Sequence, residues 1–297
     1  MSDWALLVQP TSSLTSLFDR WFFALDGALW ILVGIMGVVV ITAFVARQLT
    51  FGGAVGAFLV GFFPTWILGF GALFSLLFFF IATAILGKIS KRLRKVDVEK
   101  IHQKTGSRDV VQVFANGLMA LLAALLFTVR QNPAYIIMFG AAVGEAASDS
   151  FASEVGILSK HRPVSILTGR PMDRGLSGAI SALGLVAALM GALLVAIVVS
   201  SSYFEVGARA VQAASIITVT SLFGCLLDSV LGITLQAHYW DDVAKRITEK
   251  PMINGRALPL ERGIRWIDND MVNLISNISS ALLALALTSF FEHLLLG

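Results

Sequence analysis

The stretch Gly178–Val199, GAISALGLVAALMGALLVAIVV, decides the fold class of this chain. It contains no charged side chain, and a helix needs about 20 apolar residues to cross a hydrocarbon core of about 30 Å. Glycine and alanine recur in it at close spacing, which lets helix backbones approach one another in lipid. The stretch therefore predicts a membrane-spanning helix packed within a bundle.

The remainder of the chain repeats this character. Of its 297 residues, 57% are apolar and 14% are charged, far from the average of a soluble globular protein. Runs of transmembrane length lie near 28–46, 66–87, 109–129, 134–156, 175–199, 210–236 and 270–291. The Gly-rich run Phe51–Phe63, closed by Pro64, is shorter and predicts a short packed helix or half of a broken one. We therefore predict an all-α, polytopic integral membrane helix bundle with about 7–8 transmembrane helices.

Basic residues set the predicted orientation. With eight crossings, the loops near 88–108, 157–174 and 237–269 fall on one side of the membrane and, with Arg47, hold all but three of the 22 Lys and Arg residues. By the positive-inside rule this side is cytoplasmic and both termini lie outside, in what we expect to be a prokaryotic plasma membrane. Residues 1–27 predict an N-terminal interfacial segment, and 28–297 a single transmembrane catalytic domain with these three cytoplasmic loops.

Several kinds of site are disfavoured by the composition. The single Cys225 lies in an apolar run and can form no internal disulfide. The four histidines are scattered, which argues against a zinc site. No Walker sequence occurs, and we expect no nucleic-acid partner.

Polar side chains interrupt four of the predicted spans at one depth. They recur mostly four residues apart, which places them on one face of each helix. These stripes are Arg108, Gln112 and Asn116; Glu145, Asp149 and Ser153; Asp228 and Gln236; and Asp270, Asn273 and Asn277. Amides alone can hold helices together in lipid. A carboxylate in a bundle needs a cation, a proton or a basic partner, so Asp149 and Asp228 are the stronger functional candidates.

The loop SKHRPVSILTGRPMDRGLSGA, residues 159–179, leads directly into the next predicted helix. Free backbone N–H groups, the positive end of a helix dipole and guanidinium groups together favour phosphate. An ordinary helix cap flanked by positive-inside arginines explains the same pattern. The candidate nucleotide and phosphate ligands are Lys160, Arg162, Thr168, Gly169, Arg170, Arg174, Gly175, Ser177 and Gly178.

Five segments in succession resemble the motifs of a known membrane family. They are RDVVQVFANG, SDSFASEVGILS, TGRPMDRGLSGAISALG, LLDSVLGITLQ and VNLISNISS. In order and spacing they are similar to the family that includes the plastid phytyl-phosphate kinase and the vertebrate transmembrane protein nineteen. The resemblance runs from about Leu49 to the last span. Many relatives carry DTWASE where this chain has DSFASE, and the first 26 residues match nothing in the family.

The resemblance implies a kinase that converts a prenyl monophosphate, of phytyl or geranylgeranyl type, into the diphosphate with CTP and Mg²⁺. Asp149 and Glu154 match its acidic motif and Asp228 its second acidic motif, so these three are the catalytic candidates. Gly169 and Gly178 match its glycine loop, and Asn116 and Asn273 its amides. The implied partners are an isoprenoid monophosphate lipid, a nucleoside triphosphate and membrane lipids, and a homo-oligomer is left open.

Specific roles follow as hypotheses. Asp149 and Asp228 hold Mg²⁺ with help from Glu145 or Glu154, because Mg²⁺ is normally bound by one or two carboxylates plus substrate phosphates. The orienting or substrate-binding candidates are Arg108, Gln112, Asn116, Ser153, Gln236, Asn273 and Asn277. A phosphate acceptor is already ionised at neutral pH, so the reaction needs no general base.

Two other functions stay open. A CTP-dependent lipid-phosphate cytidylyltransferase would use the same parts but release pyrophosphate. A transporter of a phosphorylated lipid or small anion would also need buried carboxylates and broken helices, and the short run before Pro64 favours it. The polar stripes gather at one membrane face, whereas alternating access prefers a midplane site. The sequence leaves the prenyl chain length and the nucleotide open.

Overall fold

The computed structural model describes residues 15–94, 101–104 and 106–296, with the backbone alone at 292–296. Within these ranges it contains nine helices, seven of which are long and apolar enough to cross a membrane. The helices are α1 Ser16–Phe23, α2 Ala28–Val45, α3 Phe51–Leu68, α4 Phe70–Leu93, α5 Val110–Arg130, α6 Pro133–Gly156, α7 Ala182–Tyr203, α8 Ala208–Thr234 and α9 Asn269–Leu296. The chain is therefore an integral membrane helix bundle, as predicted; α1 and α6 are not among the seven candidate spans.

Helix α6 forms the centre of the bundle. It is 24 residues long, about 36 Å at 1.5 Å per residue, and packs against α4, α5, α7, α8 and α9. Every residue from Ile136 to Ser148 is buried. Because α6 is enclosed by other helices rather than by lipid, it can carry polar groups that a lipid-facing helix could not.

Small residues allow the helices around α6 to approach it closely. A Cβ atom built on Gly191 of α7 would lie 2.8 Å from the carbonyl oxygen of Ala147. One built on Gly144 of α6 would lie 2.3 Å from the hydroxyl of Ser221 on α8. The interior is thus packed too tightly at these points for any side chain.

Three predicted boundaries are corrected by the structure. Helix α3 continues through Pro64 to Leu68, so the expected short or broken helix is wrong. Proline removes one N–H from a helix, and neighbouring helices in a bundle accommodate that loss; the chain turns instead at Gly69, whose φ is 87°. The span expected from residue 175 begins only at Ala182, because the Ser181 hydroxyl caps α7 by accepting from the Gly184 N–H at 3.1 Å. Helix α8 ends at Thr234, so Gln236 lies beyond it.

The loops expected on the cytoplasmic side meet at one end of the bundle. His102 contacts the Gly175 carbonyl at 2.8 Å, and the Glu249 N–H donates to the Ile101 carbonyl at 2.9 Å. Helix α4 extends to Leu93, so the first loop starts later than the expected residue 88, and residues 95–100 and 105 lie outside the described ranges.

These loops contain short strands, which the all-helical prediction did not include. The strands are β1 Val164–Ser165, β2 Ala179–Ile180, β3 His238–Asp241, β4 Arg246–Thr248, β5 Met252–Ile253, β6 Arg256–Ala257 and β7 Leu260–Arg262. β1 pairs with β2, β5 pairs with β6, and β4, β3 and β7 form a three-stranded antiparallel sheet. The third loop is therefore a small folded layer over this end of the bundle.

The opposite end is closed by α1, the described part of the predicted interfacial segment. Asp19 of α1 is buried and accepts from the Phe70 N–H at 2.9 Å, which caps α4. Phe18 and Phe22 stack edge-on against Phe70. Residues 1–14, including Trp4, lie outside the described ranges.

Candidate functional site

A cavity of about 550 Å³ lies at the loop end of the bundle. Its walls come from α4, α5, α6, α8, the start of α7 and α9, and the loops above them. Residues of the polar stripes and residues of the loops both line it, so this cavity is the candidate functional site.

Two carboxylates from different helices line the cavity. Asp149 projects from α6 and Asp228 from α8, close enough for their charges to interact. Asp228 Oδ2 accepts from the Ser276 hydroxyl at 3.3 Å. The Asn273 amide, turned so that its nitrogen faces two acceptors, donates to the same oxygen at 2.9 Å and to the Asn269 carbonyl at 3.3 Å. Helix α9 therefore fixes the orientation of Asp228.

Glu145 lies behind this pair and does not line the cavity. It is 1% exposed, and it accepts from the Asn277 amide at 2.7 Å and from the Ser276 hydroxyl at 3.1 Å. In the parts of the chain that the structure describes, no three His, Cys, Asp or Glu side chains are grouped to hold a metal ion. Of the predicted set of Asp149, Asp228 and Glu145, the structure brings the first two to the cavity and places Glu145 one helical turn deeper in the bundle.

Glu154 also lines the cavity, beside a glycine of α4. A Cβ on Gly87 would lie 3.4 Å from Glu154 Oε1, so the two helices are close here. Arg108 also lines the cavity, and its guanidinium lies 5.6 Å from the centre of the Phe79 ring. Burial lowers the pKa of Arg108, while the negative charge of Glu154 opposes that effect. Arginine remains charged at neutral pH, so Arg108 is a permanent cation of the site.

The predicted phosphate loop divides into two groups. Arg174, Gly175, Ser177 and Gly178 line the cavity. The other five are exposed and do not line it; three of them lie in the exposed turn 167–170, which follows the strand that pairs with β2. These five are Lys160, Arg162, Thr168, Gly169 and Arg170.

Arg174 shapes the loop. Its guanidinium donates to the carbonyls of Ile157, Ser159, Lys160 and His161, at 2.5 to 3.5 Å. These carbonyls follow the end of α6. A cation at the C-terminus of a helix stabilises the helix, so Arg174 stabilises the end of α6. Arg174 therefore lines the cavity, as a phosphate ligand would, with both terminal nitrogens of its guanidinium group bonded to these carbonyls.

The remaining predicted residues differ in their positions. Gln112 and Asn116 line the cavity; Gln112 forms a capping box with Asp109, and the Asn116 amide donates to the Gln112 carbonyl at 3.0 Å. Ser153 and Asn273 also line it. Two predicted residues do not: Asn277 is turned to Glu145, and the buried side-chain amide of Gln236 has no hydrogen-bond partner among the described residues.

Several titratable residues of the cavity wall were absent from the predicted site residues. They include Lys88, Lys91, His102, Lys104 and Glu249; Asp270, predicted only as part of a polar stripe, also lines the cavity. Lys88 continues the face of α4 that carries Ala84, and it has no hydrogen-bond or ion-pair partner within the described residues. Glu249 reaches the site from the folded loop and accepts from the Ser177 hydroxyl at 2.6 Å. The basic loop near 88 signalled membrane orientation in the sequence, and nothing in it separated Lys88 from its neighbours.

Lys104 ties the first loop to two helices. Its ammonium group lies 2.5 Å from Asp270 Oδ2 and 2.8 Å from Asp109 Oδ2. Burial alone would lower the pKa of Lys104, but hydrogen bonds to these carboxylates and their charges raise it overall. Burial likewise raises the pKa of Asp109, while the bonds from Lys104 and the Gln112 N–H lower it below its ordinary value.

The chain belongs to the integral membrane protein family DUF92, whose sequence profile matches residues 34–281. The Arabidopsis thaliana protein named Protein PGR is 28% identical over 236 residues, 72% of this chain and 80% of that protein. The uncharacterized membrane protein MJ0933 of Methanocaldococcus jannaschii is 34% identical over 150 residues, 50% of this chain and 61% of that protein. The uncharacterized membrane protein sll0875 of Synechocystis is 24% identical over 239 residues, 76% of this chain and 81% of that protein. No solved structure shows a significant match to the chain.

Proposed function

We propose that this DUF92 protein is a kinase that transfers the terminal phosphoryl group of CTP to a prenyl monophosphate, giving CDP and the prenyl diphosphate. One observation carries the proposal: carboxylates from α6 and α8 line the same cavity as cations from α4 and from the first loop, at the basic end of the bundle. The motif resemblance to the phytyl-phosphate kinase family supplies the reaction. Orientation toward the cytoplasm, where CTP is available, follows from the positive-inside rule.

The donor set fits Mg²⁺. Asp149 and Asp228 offer carboxylate oxygens from two directions, and Asn273 holds Asp228 in place. Two carboxylates plus phosphate oxygens are an ordinary Mg²⁺ environment. The bound ion would neutralise charge on the phosphates and hold them in line with the acceptor.

The chain's own cations complete the charge balance. Arg108 and Lys88 line the cavity without an ion-pair partner within the described residues, so both are available to phosphate oxygens. Phosphoryl transfer depends mainly on positioning and on neutralising charge that spreads over the moving group. The acceptor phosphate, with its second pKa near 6, attacks as the anion, so no side chain need remove a proton.

The sequence feature that favoured a transporter, a helix broken before Pro64, is not found in the structure. That interpretation depended on a helix broken before Pro64, and α3 is continuous across it. The cavity also lies at one end of the bundle rather than at its middle, where alternating access places a site.

Products separate the kinase from the cytidylyltransferase. Purified protein is incubated with Mg²⁺, CTP and geranylgeranyl monophosphate, and nucleotides and lipids are analysed by mass spectrometry. CDP with prenyl diphosphate supports the kinase, whereas pyrophosphate indicates the cytidylyltransferase. No nucleotide consumption with phytyl, geranylgeranyl or shorter acceptors would rule out both. Asp149→Asn should abolish turnover, and Arg162→Gln, on the exposed part of the loop, serves as the folded control.

A further inference from the structure

Helices α4 and α7 both contribute to the cavity wall, and they pack tightly at the end near α1. At the end near α1, a Cβ on Gly71 of α4 would lie 2.7 Å from Ser202 Cβ and 2.9 Å from the Tyr203 ring of α7. Toward the loops, Thr83 and Ala84 of α4 and Leu185 of α7 all line the cavity. The α4–α7 seam is therefore closed at one end and borders the cavity at the other.

Leu185 lines the cavity, and Val186, which follows it on α7, is 61% exposed. On α4, Thr83 and Ala84 line the cavity, while Ile81 and Ile85 are 51% and 52% exposed. The exposed apolar side chains belong to candidate membrane spans, so their outer surface faces lipid. The same turns of α4 and α7 therefore carry both cavity-lining and lipid-facing residues, which is the arrangement that an opening from the cavity toward the hydrocarbon requires.

Polarity changes along this opening in the order that an amphiphile requires. Phe80 and Ala84 offer apolar or small surface, and Lys88 follows Ala84 by one helical turn on the same face of α4, nearer the loops. A phosphate at Lys88 would leave an attached hydrocarbon chain beside Ala84 and Leu185.

We infer that the seam between Thr83–Gly87 of α4 and Ser181–Leu185 of α7 is the binding site for the prenyl tail, with the tail's free end in the bilayer. This inference rests on the proposed function for the identity of the tail. It adds Phe80, Ala84 and Leu185 as residues that determine which acceptors are used, and it gives the lipid an entrance separate from that of the nucleotide.

Labelling tests the seam without any turnover. Geranylgeranyl monophosphate carrying a diazirine near the end of its tail is added to the wild-type protein in nanodiscs and irradiated, and the labelled peptides are identified by mass spectrometry. Label on residues 80–89 of α4 or 182–189 of α7, reduced by unlabelled geranylgeranyl monophosphate, is the expected result. Label confined to other helices, or no competed label, would overturn the inference.

The second test compares kcat/KM for a long and a short acceptor. Leu185→Trp should lower kcat/KM for geranylgeranyl monophosphate by roughly tenfold or more, yet leave dimethylallyl monophosphate within about twofold, because only the long tail fills the seam. The matched control is Leu189→Trp, which adds the same bulk one turn along the exposed face of α7 and does not line the cavity. Equal effects on both acceptors would contradict the seam, while a wild-type protein inactive on every acceptor would contradict the kinase and leave the labelling result to decide the seam.

Discussion

Replacing two glycines of the same loop by alanine distinguishes a glycine that packs against a helix from one that only the turn requires. Gly169 and Gly178 both have positive φ, at 66° and 82°. Their surroundings differ: nothing lies within 4 Å of a Cβ on Gly169, whereas a Cβ on Gly178 would lie 2.6 Å from Ile233 Cβ and 2.8 Å from the Ser229 carbonyl oxygen. Gly178 therefore permits the loop to rest on α8, and Gly169 meets only the demand of the turn.

The expected costs follow from these distances. Alanine at positive φ costs about 1–2 kcal/mol at either position. At Gly178 the clash with α8 adds about 1–3 kcal/mol, the usual range for overpacking. Gly178→Ala should therefore lose about 2–5 kcal/mol and Gly169→Ala about 1–2 kcal/mol.

The assay is thermal unfolding of the purified protein in detergent, with both variants measured in one buffer. Ile233→Gly combined with Gly178→Ala should recover part of the stability that the sum of the two single losses predicts, because Ile233→Gly removes the clashing Cβ atom, whereas Ile233→Gly should give no such recovery with Gly169→Ala. Equal midpoints for the two single variants, or no recovery in the double variant, would refute the packing argument.

Three further results are expected. Asn273→Ala should raise the Mg²⁺ concentration for half-maximal activity by roughly ten- to a hundredfold while saturating Mg²⁺ restores kcat, since it removes a donor that orients Asp228; a lower kcat at all Mg²⁺ concentrations would contradict this role. Arg108→Gln should lower kcat/KM for CTP by roughly tenfold or more, while Arg162→Gln, which removes the same charge from an exposed site, should leave it nearly unchanged. Asp109 has a pKa below its ordinary value, so its contribution to stability is present above its unfolded pKa of about 3.9 and is lost as pH falls through the lower folded value. The difference in thermal midpoint between wild type and Asp109→Asn should therefore stay level at neutral pH and shrink below about pH 4. A difference that persists at pH 2 would contradict the ion pair with Lys104.

Features that depend on local spacing were predictable from the sequence. The four-residue interval places Gln112 and Asn116 on one face of α5, and both line the cavity. The expected span 134–156 differs from α6 by one residue at its start. In each case the backbone period alone determines which face a side chain occupies.

Features that depend on tertiary packing between distant segments were not predictable from the sequence. Glu145 and Asp149 share a face of α6, but one turn separates them by about 6 Å along the axis, and only packing against α9 reveals that Glu145 is enclosed by Ser276 and Asn277. Glu249 reaches the cavity through a folded loop whose strands are two to four residues long. Short strands of this kind leave too few residues for a periodic signal.

The position of the polar helix explains why one end of this bundle carries the chemistry. A carboxylate exposed to hydrocarbon is expensive, so the acids of α6 and α8 must be enclosed by other helices. Enclosure along the whole length of α6 would bar a charged substrate, and the buried run of α6 ends at Ser148, one residue before Asp149. The acids that line the cavity therefore lie where the helices give way to basic loops, and the inferred α4–α7 seam would add contact with lipid at the same level. A reaction between a water-soluble triphosphate and a membrane-bound phosphate requires both openings at one depth.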